Sequence, residues 1–263
     1  MIAHKNVINY IIENVRKDHI PERLSGFHES PPKQNGSRKC ELFCWMGKGR
    51  RVTHLEDRRN TFRQYLVDGA EFAGRFEFPK LRQTRYIPEA MIPFHMIRRR
   101  KPMRGAAAHF FIEDYQFERL WNAPGRYLDA LKNCGGVIAP DFSMYAHMSR
   151  AQRIWNCYRS RALSYWMQRQ GLDVVPVIEW GEKEDLAWCL DGIPRCGTVA
   201  IGLYGCRRDA WARYSLLHGF AAACEMLEPY AVLAYGARIP EMESLCRHIR
   251  GYPNYCEEMK KRL

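Results

Sequence analysis

Six short apolar segments, each closing on a polar or glycine-containing tip, punctuate the chain: Met91–Met96, His109–Asp114, Gly136–Phe142, Val174–Trp180, Thr198–Gly205 and Tyr230–Gly236. Helical periodicity fills most of the intervals. Residues 115–133, interrupted by Pro124, predict two helical pieces joined by a bend. Ser149 as cap and Gly171 as stop bound a helix whose stripe is Ile154, Tyr158, Ala162 and Tyr165. A short helical stretch is expected at about 182–190. Another spans about 208–227, with Ala210, Tyr214, Leu217, Ala221 and Cys224 on one face. These stripes read as core. The alternation predicts an α/β fold: a largely parallel sheet of about six strands flanked by helices, wound as an open doubly wound sheet or an incomplete barrel. Parallel sheets gather functional groups at the carboxyl ends of their strands, where these tips lie.

The chain before this series has a different character. Val7, Ile8, Ile11, Ile12 and Val15 mark an amphipathic helix over 5–17. Residues 20–39 hold Pro21, Gly26, Pro31, Pro32 and Gly36 and read as a linker. The stretch Cys40–Met46 suits a strand or a short helix, and a basic loop follows it. Residues 55–69 look helical, and Phe72 to Phe78 suggests a strand. The expected organisation is an N-terminal helical and basic appendage over 1–60 and an α/β domain over 61–263. Pro93, Pro140 and Pro176 fall within apolar segments, where proline favours strand ends, edges or bulges. Pro176 argues against a regular central strand over 174–180. Pro140 is placed to turn Asp141 out of the ladder.

At 263 residues and 46% hydrophobic content, the chain can bury a sizeable core. No apolar run approaches bilayer length, and the start lacks the apolar region of a secretory signal, so a soluble cytoplasmic protein is expected. Ten cysteines scattered through apparent helices and strands read as reduced thiols. The net charge of +12 is uneven: residues 1–105 hold 22 Lys/Arg against 11 Asp/Glu, and residues 106–263 hold 19 against 18. Lys48, Arg50 and Arg51, with Arg98, Arg99, Arg100 and Lys101, are the candidate nucleic-acid-binding positions, since clustered cations attract polyanions.

Five strings occur in an order that resembles a domain family of unknown function found in bacteria, phages and mobile elements. They are Asp114–Trp121, Gly136–Ser143, Ile154–Ala162, Asp191–Pro194 and Val199–Gly202. The resemblance runs from about Phe62 to Gly236. It implies a phage or mobile-element setting but assigns no catalytic residue. Similar proteins tend to carry Gly-Thr where this chain has Gly202 and Leu203.

The tips carry the candidate chemistry. Asp114, Asp141 and Glu179 end three successive strands, and convergent carboxylates hold Mg²⁺ or Mn²⁺, metals suited to phosphodiester chemistry. His95, at the first tip, is placed to act as ligand or general base. The structural alternative is that these acids cap helices or pair with Arg159 or Arg161. Ser143, Asn156, Arg159 and Arg161 form a candidate phosphate or nucleotide site, joined by Tyr204 and Gly205 in the loop before the 208–227 helix. Cys206 has no placed histidine partner. Zinc is disfavoured, because Cys40 and Cys44 form only one loose pair. Two functions fit. One is a nucleic-acid- or nucleotide-acting protein performing metal-dependent phosphoryl transfer or hydrolysis. The other is a non-enzymatic binder that sequesters a nucleotide signal or inhibits a host defence protein. The first requires the three acids to share one cleft.

Overall fold

A computed structural model of the chain describes residues 62–99, 103–203, 210–236 and 240–254. The expected 1–60 appendage lies outside them. The described part opens on a 3₁₀ turn, Gln64–Val67, and a small antiparallel hairpin, β1 (Phe72–Ala73) with β2 (Phe78–Pro79). The single strand expected over 72–78 is this hairpin. Gly74 and Glu77 take positive φ at its turn, which a continuous strand cannot accommodate.

Seven strands follow: β3 (Ala90–Pro93), β4 (Met103–His109), β5 (Cys134–Ile138), β6 (Val174–Val175), β7 (Thr198–Gly202), β8 (Ala231–Tyr235) and β9 (Ile249–Tyr252). Between them lie α1 (Asp114–Asn122), α2 (Leu128–Lys132), α3 (Arg150–Arg169), α4 (Ala210–Leu227) and α5 (Met242–Leu245). Every neighbouring pair in the two sheets, β3-β4-β5-β6 and β7-β8-β9, is parallel. A parallel bridge, Val177 to Ala200, joins the sheets. Ala200 donates to the Pro176 carbonyl at 2.8 Å and accepts from Ile178 at 2.9 Å. Pro176 therefore ends β6 after two residues while the chain stays in register with β7.

The strands run in sequence order across the two sheets. A doubly wound sheet reverses its strand order, so this winding is that of the incomplete barrel. Curvature follows from one contact. Strands four places apart in a flat sheet sit about 19 Å from each other at about 4.8 Å per strand. Yet the rings of His109 on β4 and Tyr235 on β8 are 4.4 Å apart. The barrel does not close by strand pairing between β9 and β3 among the described residues. The Tyr252 hydroxyl instead donates to the Pro88 carbonyl at 2.6 Å.

Local sequence explains the elements. Ser149 caps α3 in a reciprocal box with Gln152, and Gly171 at φ 84° follows its end. Pro124 separates α1 from a 3₁₀ turn leading into α2, giving the expected bend. β4 is built from Ala106, Ala107 and Ala108, all buried, and lies earlier than the expected apolar segment, which begins at its last residue. One buried cluster gathers β3–β6, α1 and α3 around Phe110, Phe117, Ile138 and Leu163. A second lies under α4 around Trp188, Phe220 and Val232. Among the described residues, no helix is long and apolar enough to cross a membrane.

Candidate functional site at the carboxyl rim

Because all seven strands point the same way, their carboxyl ends form a common rim. Asp141 and Glu179, just past β5 and β6, are hydrogen-bonded to each other. Burial pushes the Asp141 carboxyl up from its ordinary 3.8 to about 6. Burial, followed by the neighbouring Asp141 charge, pushes Glu179 well above the usual carboxylate range. Burial and the mutual repulsion of the two carboxylates both favour a proton held by the pair. Arg161 also acts on Glu179, favouring its charged form. Its guanidinium is buried and donates to the Asp191 and Cys189 carbonyls, at 3.3 and 2.7 Å.

Asp114 lies close enough to raise both members of the pair, so the structure brings the three expected acids to one rim. Its carboxylate already has a partner. Ser143 donates to it through its backbone N–H at 3.2 Å and its hydroxyl at 2.9 Å. The other expected ligand-binding residues extend this link. Asn156 donates to the Ser143 carbonyl at 2.7 Å, and Arg159 donates to Asn156 and Glu118, both at 2.7 Å. Arg159 also lies 3.9 Å over the Phe142 ring. The chain Asp114–Ser143–Asn156–Arg159–Glu118 ties the ends of β4 and β5 to α1 and α3. It is a latch that fixes the rim.

Sequence reasoning missed His109, the last residue of β4. It is fully buried, and its Nδ1 accepts from the Phe111 N–H at 3.2 Å, so in the neutral ring the proton sits on Nε2. Burial drives its pKa down to about 3, with a smaller contribution from His95. Nε2 has no hydrogen-bond partner among the described residues. Phe111 stacks on Tyr235 at 5.0 Å beside it. Gly202 is confined here: an added Cβ meets the Phe111 ring at 3.0 Å and Asp141 Oδ2 at 3.5 Å. That approach is the physical reason for glycine at the end of β7. The only sequence signal for His109 was a polar residue after three alanines.

His95 sits exposed on the 3₁₀ turn after β3. Arg98 and Arg99 end that turn as the chain returns towards the amino end of β4. Arg98 lies 4.3 Å over the Tyr127 ring and donates to the Arg126 carbonyl at 2.6 Å. Arg98 therefore faces away from the rim. Lys48, Arg50, Arg51, Arg100, Lys101, Tyr204, Gly205 and Cys206 lie outside the described residues, as do Cys40 and Cys44. Among the described residues, no group of three or more His, Cys, Asp or Glu side chains is arranged to hold a metal ion.

Beyond the carboxyl pair, the β5–α3 loop and the segment after β6 line an open, solvent-facing cavity of about 530 Å³. Arg153 and Asp185 are both buried at its base and paired at 2.7 Å, and Arg153 also pairs with Glu182 at 2.5 Å.

A family described as a domain of unknown function (DUF4417) matches residues 70–253. The chain is 34% identical over 193 residues to the "Gene 1 protein" of Mycobacterium phage L5, covering 73% of this chain and 84% of that protein. It is 34% identical over 191 residues to the "Gene 1 protein" of Mycobacterium phage D29, covering 72% and 70%. No solved structure matches.

Proposed function

The chain belongs to the DUF4417 family and has phage relatives, and from that premise we propose that it acts on a phosphate-bearing nucleotide or nucleic acid at its carboxyl rim. The observation that carries this reading is the hydrogen-bonded pair Asp141–Glu179 at adjacent strand ends. Its donors are all oxygen, which suits Mg²⁺ or Mn²⁺ rather than zinc. Mg²⁺ is commonly held by one or two carboxylates plus substrate phosphates, so a two-carboxylate site is sufficient when the substrate completes it. A bound cation there would supply charge neutralisation at a phosphoryl group. Asp141 and Glu179 would hold it, Asp114 would add negative field, and the Ser143–Asn156–Arg159 latch would keep the loops in place. Phosphoryl transfer or hydrolysis is the reaction class this arrangement serves.

The engagement of Asp114 by Ser143 favours a second reading. With its third acid occupied, the rim would retain a nucleotide without cleaving it, as a sequestering protein does. Mn²⁺ binding followed by electron paramagnetic resonance, with and without a nucleoside monophosphate, tests the common core of both readings. The expected outcome is one Mn²⁺ held more tightly when the nucleotide is present, and loss of that binding in D141N/E179Q. Unchanged Mn²⁺ binding in the double variant would sink the proposal. Turnover of a nucleotide panel then separates enzyme from binder.

A further inference from the structure

The two loops that leave the carboxyl pair do not diverge. Residues 141–149 follow β5 and residues 179–185 follow β6, and they touch again at Gly181. A Cβ there would lie 2.6 Å from Arg153 Cδ and 2.7 Å from the Met144 carbonyl oxygen, so only glycine allows the approach. Past that contact the loops open into the 530 Å³ cavity, with Met148 and Arg150 on one side and Glu182 and Glu184 on the other. The cavity therefore starts within a few residues of Asp141 and Glu179.

Its chemistry differs from that of the carboxyl pair. Arg153 is fully engaged, donating to the Met148 carbonyl at 2.6 Å and pairing with Glu182 and Asp185. The groups left facing solvent are the carboxylates of Glu182 and Glu184 and the guanidinium of Arg150. Carboxylates accept hydrogen bonds from hydroxyl and amino groups and repel phosphate. Next in sequence to Ala146 of the cavity lining, Tyr145 is 50% exposed. Its ring lies parallel to that of His147, at 5.4 Å and 8°. Its hydroxyl is hydrogen-bonded to Ser143 Oγ at 3.2 Å, which anchors it to the latch at Asp114. An exposed ring backed by a second ring and fixed at its far end is a ready stacking surface for a nucleobase.

We propose that this cavity and the Tyr145–His147 stack form the nucleoside subsite of a nucleotide whose phosphate lies at Asp141 and Glu179. The base stacks on Tyr145, and its amino groups or the sugar hydroxyls donate to Glu182 and Glu184. The inference rests on the reading of the carboxyl pair as the phosphate end.

The test uses the full chain loaded with Mn²⁺ and titrated calorimetrically with the four ribonucleoside monophosphates and with ribose 5-phosphate. The nucleotides are expected to bind at least about 10-fold tighter than ribose 5-phosphate, because stacking on one aromatic ring supplies about that factor for any base. Y145A should remove the advantage and leave ribose 5-phosphate unchanged, while Y145F retains it. Equal binding of the nucleotides and ribose 5-phosphate, or a Y145A effect shared by both, overturns the subsite. If D141N/E179Q leaves ribose 5-phosphate affinity intact, the phosphate-end reading has failed instead, whatever Tyr145 does.

Discussion

The carboxyl pair makes the fold itself sensitive to pH. Asp141 binds its proton more tightly when folded, since burial raises its pKa from 3.8 to about 6. The stabilising effect of that proton is fully present below the unfolded value, near 4. It is lost as pH rises through about 6. At about 1.4 kcal/mol per pKa unit, the difference amounts to about 3 kcal/mol. Glu179 is raised in the same direction, by burial and the neighbouring Asp141 charge, and adds to the loss with the same sign. The reference is D141N/E179Q, which keeps a hydrogen bond between the two side chains but has nothing to titrate. Urea unfolding of both proteins at pH 4, 5.5 and 7 isolates the pair, because all other titrations cancel in the difference.

Wild type minus double variant should fall by about 3 kcal/mol between pH 4 and 7, equivalent to roughly 6–12 °C in Tm for a domain of this size. Parallel pH profiles would refute this, because two carboxyls that titrate normally are not held together in a half-buried site. Millimolar Mg²⁺ should recover stability for the wild type at pH 7 and do nothing for the double variant, since a cation replaces the missing proton only where the carboxylates remain.

Three further outcomes follow from other parts of the chain. D185A removes the buried partner of Arg153 and should cost about 3 kcal/mol in urea unfolding, because a guanidinium with 4% exposure loses its one buried carboxylate and keeps only the half-exposed Glu182. G219A puts a Cβ 2.1 Å from the Trp180 ring, next to Glu179 in sequence; it should cost about 1–3 kcal/mol and weaken Mn²⁺ binding, measured by unfolding and electron paramagnetic resonance. Cys246, held down at about 6 by the hydrogen bond from Cys224, should be alkylated by iodoacetamide at pH 7 well before Cys134 or Cys157, as read by peptide mass spectrometry.

Much of the architecture is written in local pattern. Ser149, Gln152 and Gly171 mark α3 because capping and left-handed termination are short-range effects. The β/α alternation marks a parallel sheet because helices or helical turns separate the apolar segments and carry the chain back to the amino end of the next strand. Other features escape such reading. β4 is made of small residues whose burial comes from the curl of the sheet, so nothing in Ala106–Ala108 announces a strand. β9 is four residues with one buried side chain, and only its neighbour β8 gives it a place. The acids at the rim were visible as tips, but their partners were not. Whether Asp114 faces open space or Ser143 depends on how two loops meet, and sequence spacing carries no such information. The pairing of Arg153 with Asp185 is likewise set by the approach at Gly181.

The arrangement around Arg161 separates a site from a mere structural pair. This guanidinium is buried, bonds only to carbonyls and makes no direct ion pair among the described residues. Asp191 and the carboxyl pair both lie within its field, so a pair that shares a single proton adds to an existing negative charge beside it. A purely structural solution would place one carboxylate against the arginine and fill the second position with an apolar side chain. Here the second carboxyl is retained at a strand end, hydrogen-bonded to the first and protonated at a cost in stability above pH 6. Replacing that proton with a divalent cation adds positive charge to the region. The complex then favours an anionic ligand that brings its own negative oxygens. This is why the rim is expected to take metal and phosphate together, and why cation affinity measured without a phosphate ligand should be weak.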